Sequence, residues 1–433
     1  MSGLIMAAQL LTALSLLVFI HELGHYLAAR AFSIKVDKFY IFFDWGFSLY
    51  KKKIGDTEFG IGWLPLGGYC KISGMIDESL DTEQLKSEPK EWEFRSKPAW
   101  QRFIVMIAGV VMNVIVGIMI FTAINLVYVK EYVPLASIEE GIYAYKYGRY
   151  IGFETGDKIV AVNGKEIDRK KDALMSNAIF GGTITVDRNG TLIDIEIPDT
   201  VYKYIQRGGL FIGFENHQFC VDSIIKDSNA EKAGIKPGDK FISLNQIPIS
   251  SFGGFKEMLL NNANDTVELK IERQNVTVEL KAVVDSIGQL GFFTKEPDYK
   301  TETYTFFKAM KYGNKDAFAA IISNIKGFKL LFTGQEKVKN LSGPIGIAKF
   351  YGAEWNWLRF WSITGMISMV LAFINILPIP GLDGGHAFFT LIEAITRRKL
   401  PDRFMEIVQY IGMVILLALI VFIVGNDIIN LFR

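Results

Sequence analysis

The chain has 433 residues, of which 50% are hydrophobic and only 21% are charged. This composition excludes disordered and collagen-like chains, and 47 Lys and Arg against 46 Asp and Glu leave no basic excess for binding nucleic acid. The two cysteines, Cys70 and Cys220, are too few for a disulfide framework. The composition therefore predicts a membrane protein with a sizeable polar portion.

Four apolar stretches predict a polytopic α-helical membrane protein with four transmembrane helices. Their predicted ranges are 1–33, 102–129, 358–381 and 404–427. Each range contains the ~17–25 mainly apolar residues with which a helix crosses a ~30 Å hydrocarbon layer. The first stretch is not expected to be a signal peptide, because no basic segment precedes it and no small-residue cleavage site follows it.

The distribution of lysine and arginine predicts how the chain is oriented. Basic residues cluster between spans one and two, for example at 51–53, and between spans three and four, at 397–399. Short segments rich in Lys and Arg remain on the cytoplasmic side of a membrane. Both termini and the stretch from about 130 to 357 are therefore expected on the opposite side, which is the periplasm for a bacterial inner membrane.

Residues 34–101 are predicted to form a membrane-associated β-hairpin region and a loop on the cytoplasmic side. Segments 39–43 and 59–69 are strand-like, too apolar for a free loop, and separated by three lysines. A hairpin that dips into the cytoplasmic leaflet fits this pattern. The alternative is an interfacial hairpin that only anchors the chain.

The long polar insert between spans two and three contains an internal repeat. Residues 155–167 and 237–249 align at an offset of 82, with Gly, Asp, Lys, Asn and the final Ile in common. A Gly-Asp turn, an apolar strand and an Asn turn are typical of a β-hairpin. The repeat predicts two small β-rich domains, 130–204 and 207–286. The helical spacing of residues 305–340 predicts a periplasmic helical segment over 287–357.

Both repeats resemble PDZ domains, and the second copy matches the PDZ pattern over a longer stretch. The resemblance implies modules that bind an extended peptide or a chain end by strand addition. The alternative is a pair of β-domains that act as plugs or spacers.

The first span ends in an H-E-x-x-H motif, formed by His21, Glu22 and His25. Positions i and i+4 share one face of a helix about 6 Å apart, so both imidazoles can reach a Zn²⁺ ion at ~2.0–2.1 Å. Glu22 lies beside them and can accept a proton from the attacking water. Ionisable groups in a spanning helix cost roughly 2.5–3.5 kcal/mol each and are usually functional. The alternative is a histidine pair that extends toward the interface.

A catalytic zinc site needs a third protein ligand, and residues 375–386, NILPIPGLDGGH, contain the best candidate. Pro378 and Pro380 cannot continue a helix, so the chain must unwind inside protein or beside a wet cavity. Asp383 stands where the chain re-enters a helix and is the candidate ligand, although it could instead be an N-cap. His386 could be a fourth ligand, a hydrogen-bonding support for a ligand, or a residue of the next helix.

H-E-x-x-H in a first span and N-x-x-P-x-P-x-L-D-G-G in a later one resemble the site-2 protease family of intramembrane zinc metalloproteases. The resemblance extends over essentially the whole chain, including stretches 65–69, 98–102, 108–113 and 341–346. Val110 departs from the pattern, because the family usually has proline there. This departure concerns the local bend of span two.

The resemblance implies an enzyme that cleaves the transmembrane segment of a single-span protein within the lipid bilayer, in regulated intramembrane proteolysis. It points to an anti-sigma factor in envelope stress signalling as substrate, and to the β region adding substrate as a strand. The implied zinc ligands are His21, His25 and Asp383, with Glu22 as the general base. Asn375 would help hold substrate or the developing oxyanion. The other implied substrate-binding residues are Pro378, Pro380, Gly67 and Gly68.

Two functions of other classes compete with this interpretation. A membrane-anchored PDZ scaffold without catalysis is disfavoured because both ligand motifs are intact. A metal transporter is disfavoured because the candidate ligands form one compact triad, without further His or acidic residues along the spans to pass an ion on.

Overall fold

The computed structural model describes residues 2–75, 88–170, 181–206, 209–215, 219–294, 299–332, 343–398 and 400–431. The chain forms two compact units, one comprising Met1–Tyr128 with Thr303–Arg433, and the other Val129–Glu302. Residues 341, 342 and 399, which belong to stretches singled out above, lie outside the described residues.

Helices and strands are labelled here in chain order. The helices are α1 Ser2–Ala31, α2 Ala99–Val127, α3 Lys146–Tyr150, α4 Thr200–Gln206, α5 Asn229–Lys232, α6 Phe252–Asn261, α7 Phe306–Phe332, α8 Pro344–Tyr351, α9 Trp357–Ile376, α10 Asp383–Thr396 and α11 Asp402–Leu431. The strands are β1 Val36–Ile54, β2 Thr57–Ile72, β3 Lys130–Tyr132, β4 Ile142–Ala144, β5 Lys158–Val162, β6 Lys165–Glu166, β7 Gly182–Arg188, β8 Thr191–Ile197, β9 Ile212–Phe214, β10 Val221–Ile224, β11 Lys240–Leu244, β12 Ile247–Pro248, β13 Thr266–Arg273, β14 Val276–Val283, β15 Phe292–Thr294 and β16 Lys300–Glu302.

Four helices among the described residues are long and apolar enough to cross a membrane. Their spans are Gly3–Ala31, Ala99–Val127, Trp357–Ile376 and Arg403–Ile429. The prediction of a polytopic α-helical membrane protein with four such helices is confirmed. The third span is the shortest, because α9 ends at Ile376, just before two closely spaced prolines.

Polar contacts join the helix ends on one side of the helical unit. Gln9, near the start of α1, donates from Nε2 to the Gly352 carbonyl oxygen at 3.0 Å. Asp427, near the end of α11, accepts the backbone N–H of Ile345 in α8 at 2.8 Å. The start of α1, the connection into α9 and the end of α11 therefore lie at the same end of the unit.

Small residues allow α2 and α9 to approach each other closely. A Cβ atom on Gly117 of α2 would overlap the side chain of Met369, and one on Gly365 of α9 would press against Ile120. Helices in membranes associate through such small-residue contacts, because lipid supplies no hydrophobic driving force between them. This packing fixes α2 against α9 on one side, while α1 packs on another.

The predicted hairpin region is a curled sheet of four short strands. Residues 38–41 pair with 68–71 on one side and with 58–61 on the other, and residues 48–54 pair with 57–62. The order across the sheet is therefore 48–54, 57–62, 36–43 and 68–72. The backbone bends at Phe42, where φ is 69°, and at Gly46, where φ is 86°. Residues 68–72 consequently form an edge of this sheet.

Two four-stranded sheets of the second unit have the same organisation. Their strand orders are β6-β5-β7-β8 and β12-β11-β13-β14, in which each element recurs at the same place. Asn163 and Asn245 both have positive φ, and their side chains accept the backbone N–H of Thr183 at 2.9 Å and of Glu268 at 2.8 Å. The aligned sequence repeat thus corresponds to a repeated hairpin.

The limits of the two β-rich halves differ from the predicted ones. Strand β9 pairs with β4, and Phe211 is buried in the first core, so residues 209–214 belong to the first half. Strand β15 pairs with β10, and Leu290 is buried in the second core. Strand β16 pairs with β3, so the helical segment begins only at Phe306. Strands β9, β15 and β16 have three residues each and are too short to show a sequence period.

Candidate metal centre

His21 and His25 lie on one face of α1, as their spacing predicts. The helix continues without interruption to Ala31, and the two rings meet edge to face with their centroids 4.9 Å apart. Their Nε2 atoms are 3.3 Å apart. The H-E-x-x-H motif therefore presents two imidazole nitrogens to one point.

A six-residue loop between α9 and α10 delivers the third side chain. The loop folds against the first turn of α10, where a Cβ on Gly384 or Gly385 would overlap the carbonyl groups of Leu377 or Ile379. The two glycines therefore permit the loop to return to the His pair. Asp383 is the first residue of α10, rather than its N-cap.

The three side chains converge on a common point. Asp383 Oδ2 lies 2.9 Å from His21 Nε2 and 3.2 Å from His25 Nε2. Bonds of about 2.0–2.1 Å at tetrahedral angles put neighbouring ligand atoms about 3.3 Å apart. The observed separations suit a small tetrahedral ion such as Zn²⁺. Among the described residues, this is the group of His, Cys, Asp and Glu side chains found close enough to share a metal ion.

A cavity of about 80 Å³ adjoins the three side chains. Its lining comprises His21, Glu22, His25, Gly68, Tyr69, Cys70, Ile72, Met75, Met106, Asn375, Gly381, Leu382, Asp383, His386 and Gln409. The Glu22 carboxylate accepts a hydrogen bond from the backbone N–H of Cys70, which belongs to the edge strand 68–72. Asn375 Nδ2 lies 3.4 Å from His21 Nε2. The cavity thus brings a carboxylate, an amide and the edge strand 68–72 next to the metal-binding group.

Three residues expected to bind substrate are not in the cavity wall. Pro380 packs against Gly412 of α11, and Gly67 lies against the ring of Phe43. Pro378 is likewise absent from the described cavity lining. His386 lines the cavity one turn after Asp383 but is not part of the three-ligand group.

Contacts from α2 were not anticipated from the sequence. The Val105 carbonyl oxygen lies 2.8 Å from His25 Nδ1, and Asn113 Nδ2 lies 3.2 Å from His21 Nδ1. The stretch 108–113 was noted only as part of a family pattern. The spacing of Gly109 and Asn113, four residues apart, is the sequence feature that places both residues on one face of α2.

A family model described as peptidase family M50 matches residues 9–419. The chain belongs to peptidase family M50. The resemblance to site-2 proteases is thereby confirmed, and the chain is a zinc-dependent metalloendopeptidase.

Several M50 relatives match over almost their full length. The regulator of sigma E protease of Haemophilus influenzae is 30% identical, with 100% of both chains covered. The regulator of sigma-E protease RseP of Escherichia coli is 28% identical, with 97% of each chain covered. The protease RseP of Yersinia pestis is 27% identical, with 99% of each covered. Other relatives carry names that describe zinc metalloproteases, which supports zinc as the cofactor.

Proposed function

We propose that this M50 peptidase hydrolyses a peptide bond within the transmembrane segment of a single-span membrane protein. The observation that supports this most directly is the position of the metal-binding group inside the helical unit. His21 and His25 lie within the apolar span Gly3–Ala31, and Asp383 follows the span Trp357–Ile376 after a six-residue loop. A substrate reaching this group would have to be at membrane depth.

In this proposal His21, His25 and Asp383 hold the zinc ion. Zinc, when bound, supplies Lewis acidity that polarises the scissile carbonyl and lowers the pKa of the attacking water. Glu22 accepts the proton of that water and returns it to the departing amine. The hydrogen bond from the Cys70 N–H fixes the Glu22 carboxylate in the cavity.

Asn375 and the sheet edge are proposed to hold the substrate backbone. The Asn375 amide is close enough to His21 Nε2 to donate a hydrogen bond to a carbonyl group held beside the zinc. A transmembrane helix hides its amides, so the scissile segment must unwind, and an edge strand can pair with the freed groups. Gly68, in the edge strand 68–72, lines the cavity and supports this role.

The remaining substrate-binding candidates act indirectly in this proposal. Gly67 has no Cβ that would push the Phe43 ring away from the edge strand. Pro378 and Pro380 keep the loop before Asp383 out of helical conformation, and this loop brings Asp383 to the two histidines.

We further propose that the protein lies in the bacterial inner membrane, with both termini and the insert in the periplasm and the metal site toward the cytoplasm. The basic segments around residues 51–53 and 397–398 support this orientation. An anti-sigma factor is the proposed substrate, since relatives are named as regulators of sigma E. The process would then be regulated intramembrane proteolysis in a stress response.

The two β-rich halves are proposed to be PDZ-like domains that restrict which substrates reach the zinc. The repeated strand order and the equivalent asparagine turns support a duplicated module. The predicted range 130–204 would extend to 214 to include strand β9. The predicted range 207–286 would begin after 214 and extend to 294 to include strand β15.

Reconstitution tests the proposed function directly. The purified chain in liposomes is incubated with a single-span protein whose soluble part has been trimmed, and the products are identified by mass spectrometry. We expect one cut inside the apolar segment, prevented by a zinc chelator and restored by zinc. A cut confined to the soluble flanks would contradict intramembrane cleavage.

A further inference from the structure

One face of α2 contacts both imidazoles on the side away from the α10 carboxylate. Val105, Gly109 and Asn113 are spaced four residues apart and so lie along the same face. The outer two meet His25 Nδ1 and His21 Nδ1, respectively. Gly109 lies between them, and a Cβ atom there would overlap both rings.

The contact between His25 Nδ1 and the Val105 carbonyl oxygen defines which ring nitrogen of His25 is protonated. A carbonyl oxygen only accepts hydrogen bonds, so the Nδ1 atom facing Val105 carries the proton. Its Nε2 atom then has a free lone pair on the side of Asp383. Such an outer hydrogen bond fixes the tautomer and the orientation of a metal-binding imidazole.

The His21 ring must also be protonated at Nδ1 once its Nε2 binds a metal. Nδ1 must then carry the proton and needs an acceptor, whereas the Asn113 amide nitrogen faces it as a second donor. Asn113 Oδ1 is buried and has no hydrogen-bond partner among the described residues. A half-turn of the amide about the Cβ–Cγ bond exchanges the positions of Oδ1 and Nδ2. It would satisfy both Oδ1 and Nδ1–H.

We propose that Asn113 is a positioning residue for zinc, whose Oδ1 accepts the Nδ1–H of His21 and directs Nε2 to the ion. The inference rests on the proposed ligand role of His21. Asn113 is itself held in place, because it is fully buried and the Ser368 hydroxyl of α9 donates to its backbone carbonyl oxygen at 2.7 Å. One helix would thus set the tautomers of both histidines.

Zinc affinity of the full chain, measured by competition with a chelator, tests this role. Asn113→Leu keeps the branching of the side chain at Cγ but removes the acceptor, and we expect affinity to fall by about 10–100-fold. Asn113→Asp keeps an acceptor and should bind zinc at least as tightly as the unmodified chain. Thr122→Val is the matched control, because Thr122 is a buried polar residue of the same helix. It should leave affinity unchanged.

A spectroscopic readout separates positioning from a general packing defect. The chain has four histidines, so ¹⁵N-histidine labelling of the zinc-loaded protein can resolve the His21 ring. We expect an Nδ1–H signal in the unmodified chain that is shifted or broadened in Asn113→Leu. Unchanged affinity and signal in that variant would overturn the inference alone. Unchanged affinity in His21→Ala would overturn the ligand assignment and the inference together.

Discussion

Aspartates enclosed fully or in part occur in both units of this molecule, and their surroundings differ. In the β insert, Asp157 and Asp239 have fully buried side chains, each paired with an arginine 31 or 34 residues away. In the helical unit, the Asp383 side chain is 21% exposed to a cavity and faces two imidazoles, the nearer in sequence 358 residues away. A locally enclosed carboxylate stabilises a fold. A carboxylate assembled over long range beside a cavity is available for chemistry.

The two buried aspartates of the insert each accept several hydrogen bonds. Arg273 binds Asp239 through Nε and Nη2, both at 2.7 Å, and also donates to the Gly234 carbonyl oxygen. The backbone N–H of Lys236 supplies another donor to Asp239 at 2.8 Å. The first half repeats this arrangement at Asp157. Such two-pronged guanidinium–carboxylate pairs are among the strongest hydrogen-bonded contacts in proteins.

The largest expected effect comes from replacing the aspartate of the helical unit. Asp383→Ala removes one of three proposed ligands, and two imidazoles alone rarely retain a catalytic ion. We expect loss of bound zinc and cleavage at background level, measured as zinc per chain and product from a single-span substrate. Asp239→Ala is the matched control and should keep both. Full zinc occupancy in Asp383→Ala would refute its ligand role, and His386 would be tested next.

A second substitution, with a smaller expected effect, distinguishes the general base Glu22 from the proposed zinc ligands. Glu22→Gln removes the proton acceptor but no proposed ligand, so zinc should remain bound. Cleavage should fall by about 10²–10⁴-fold, the usual contribution of a general base. Single-turnover cleavage at saturating zinc measures it. Activity above a few per cent of the unmodified enzyme would be incompatible with the base role.

The contrast between the units also explains what could be predicted from sequence. His21 and His25 are close in the chain, so helix geometry alone predicts their meeting. Asp383 was found because two prolines and a glycine pair mark an unusual loop. The contact of Asn113 with His21 depends on how α2 is rotated against α1, which close packing of Gly24 on Ala108 determines. No local pattern encodes that rotation.

The sheet edge beside the metal-binding group could likewise be predicted only in part from the sequence. The apolar segments predicted a hairpin but not its division into four strands. That division depends on the bend at Phe42, where a non-glycine residue has positive φ. Such a conformation is uncommon for a bulky residue, and sequence propensity argues against it. Tertiary contacts around Tyr40 and Gly60 instead bring the strands together.

Removing the insert should change substrate range rather than hydrolysis. Strands β3 and β16 pair at the start and end of the insert, so residues 133–299 can be replaced by a short turn between them. We expect a trimmed substrate to be cut at nearly the normal rate and an untrimmed one to become a substrate. Cleavage of both in liposomes measures this, with zinc content as the folding control. A zinc-loaded deletion variant that cannot cut the trimmed substrate would contradict the gating role.

The smallest effect concerns the acid sensitivity of the second β half. Burial alone raises the pKa of Asp239, but the hydrogen bonds from Arg273 and Lys236 outweigh it and hold the pKa below its usual value. A lowered folded-state pKa gives stability that is present above the unfolded value of about 3.9 and is lost as the pH falls through the folded value. Strands β11 to β14 should therefore lose hydrogen-exchange protection below about pH 4.

Two variants of the full chain test the cause of this loss. Asp239→Asn removes the titrating group, so the acid-dependent loss of protection in β11 to β14 should become smaller. At neutral pH, Arg273→Met leaves a buried carboxylate without its partner and should destabilise the second half by roughly 3 kcal/mol. Arg188→Met is its counterpart and should weaken only the first half, while zinc binding and cleavage of a trimmed substrate stay unchanged in both. If Asp239→Asn kept the full acid-dependent loss of protection, a group other than Asp239 would cause that loss. The contrast between Asp239 and Asp383 would then rest only on how deeply each side chain is buried.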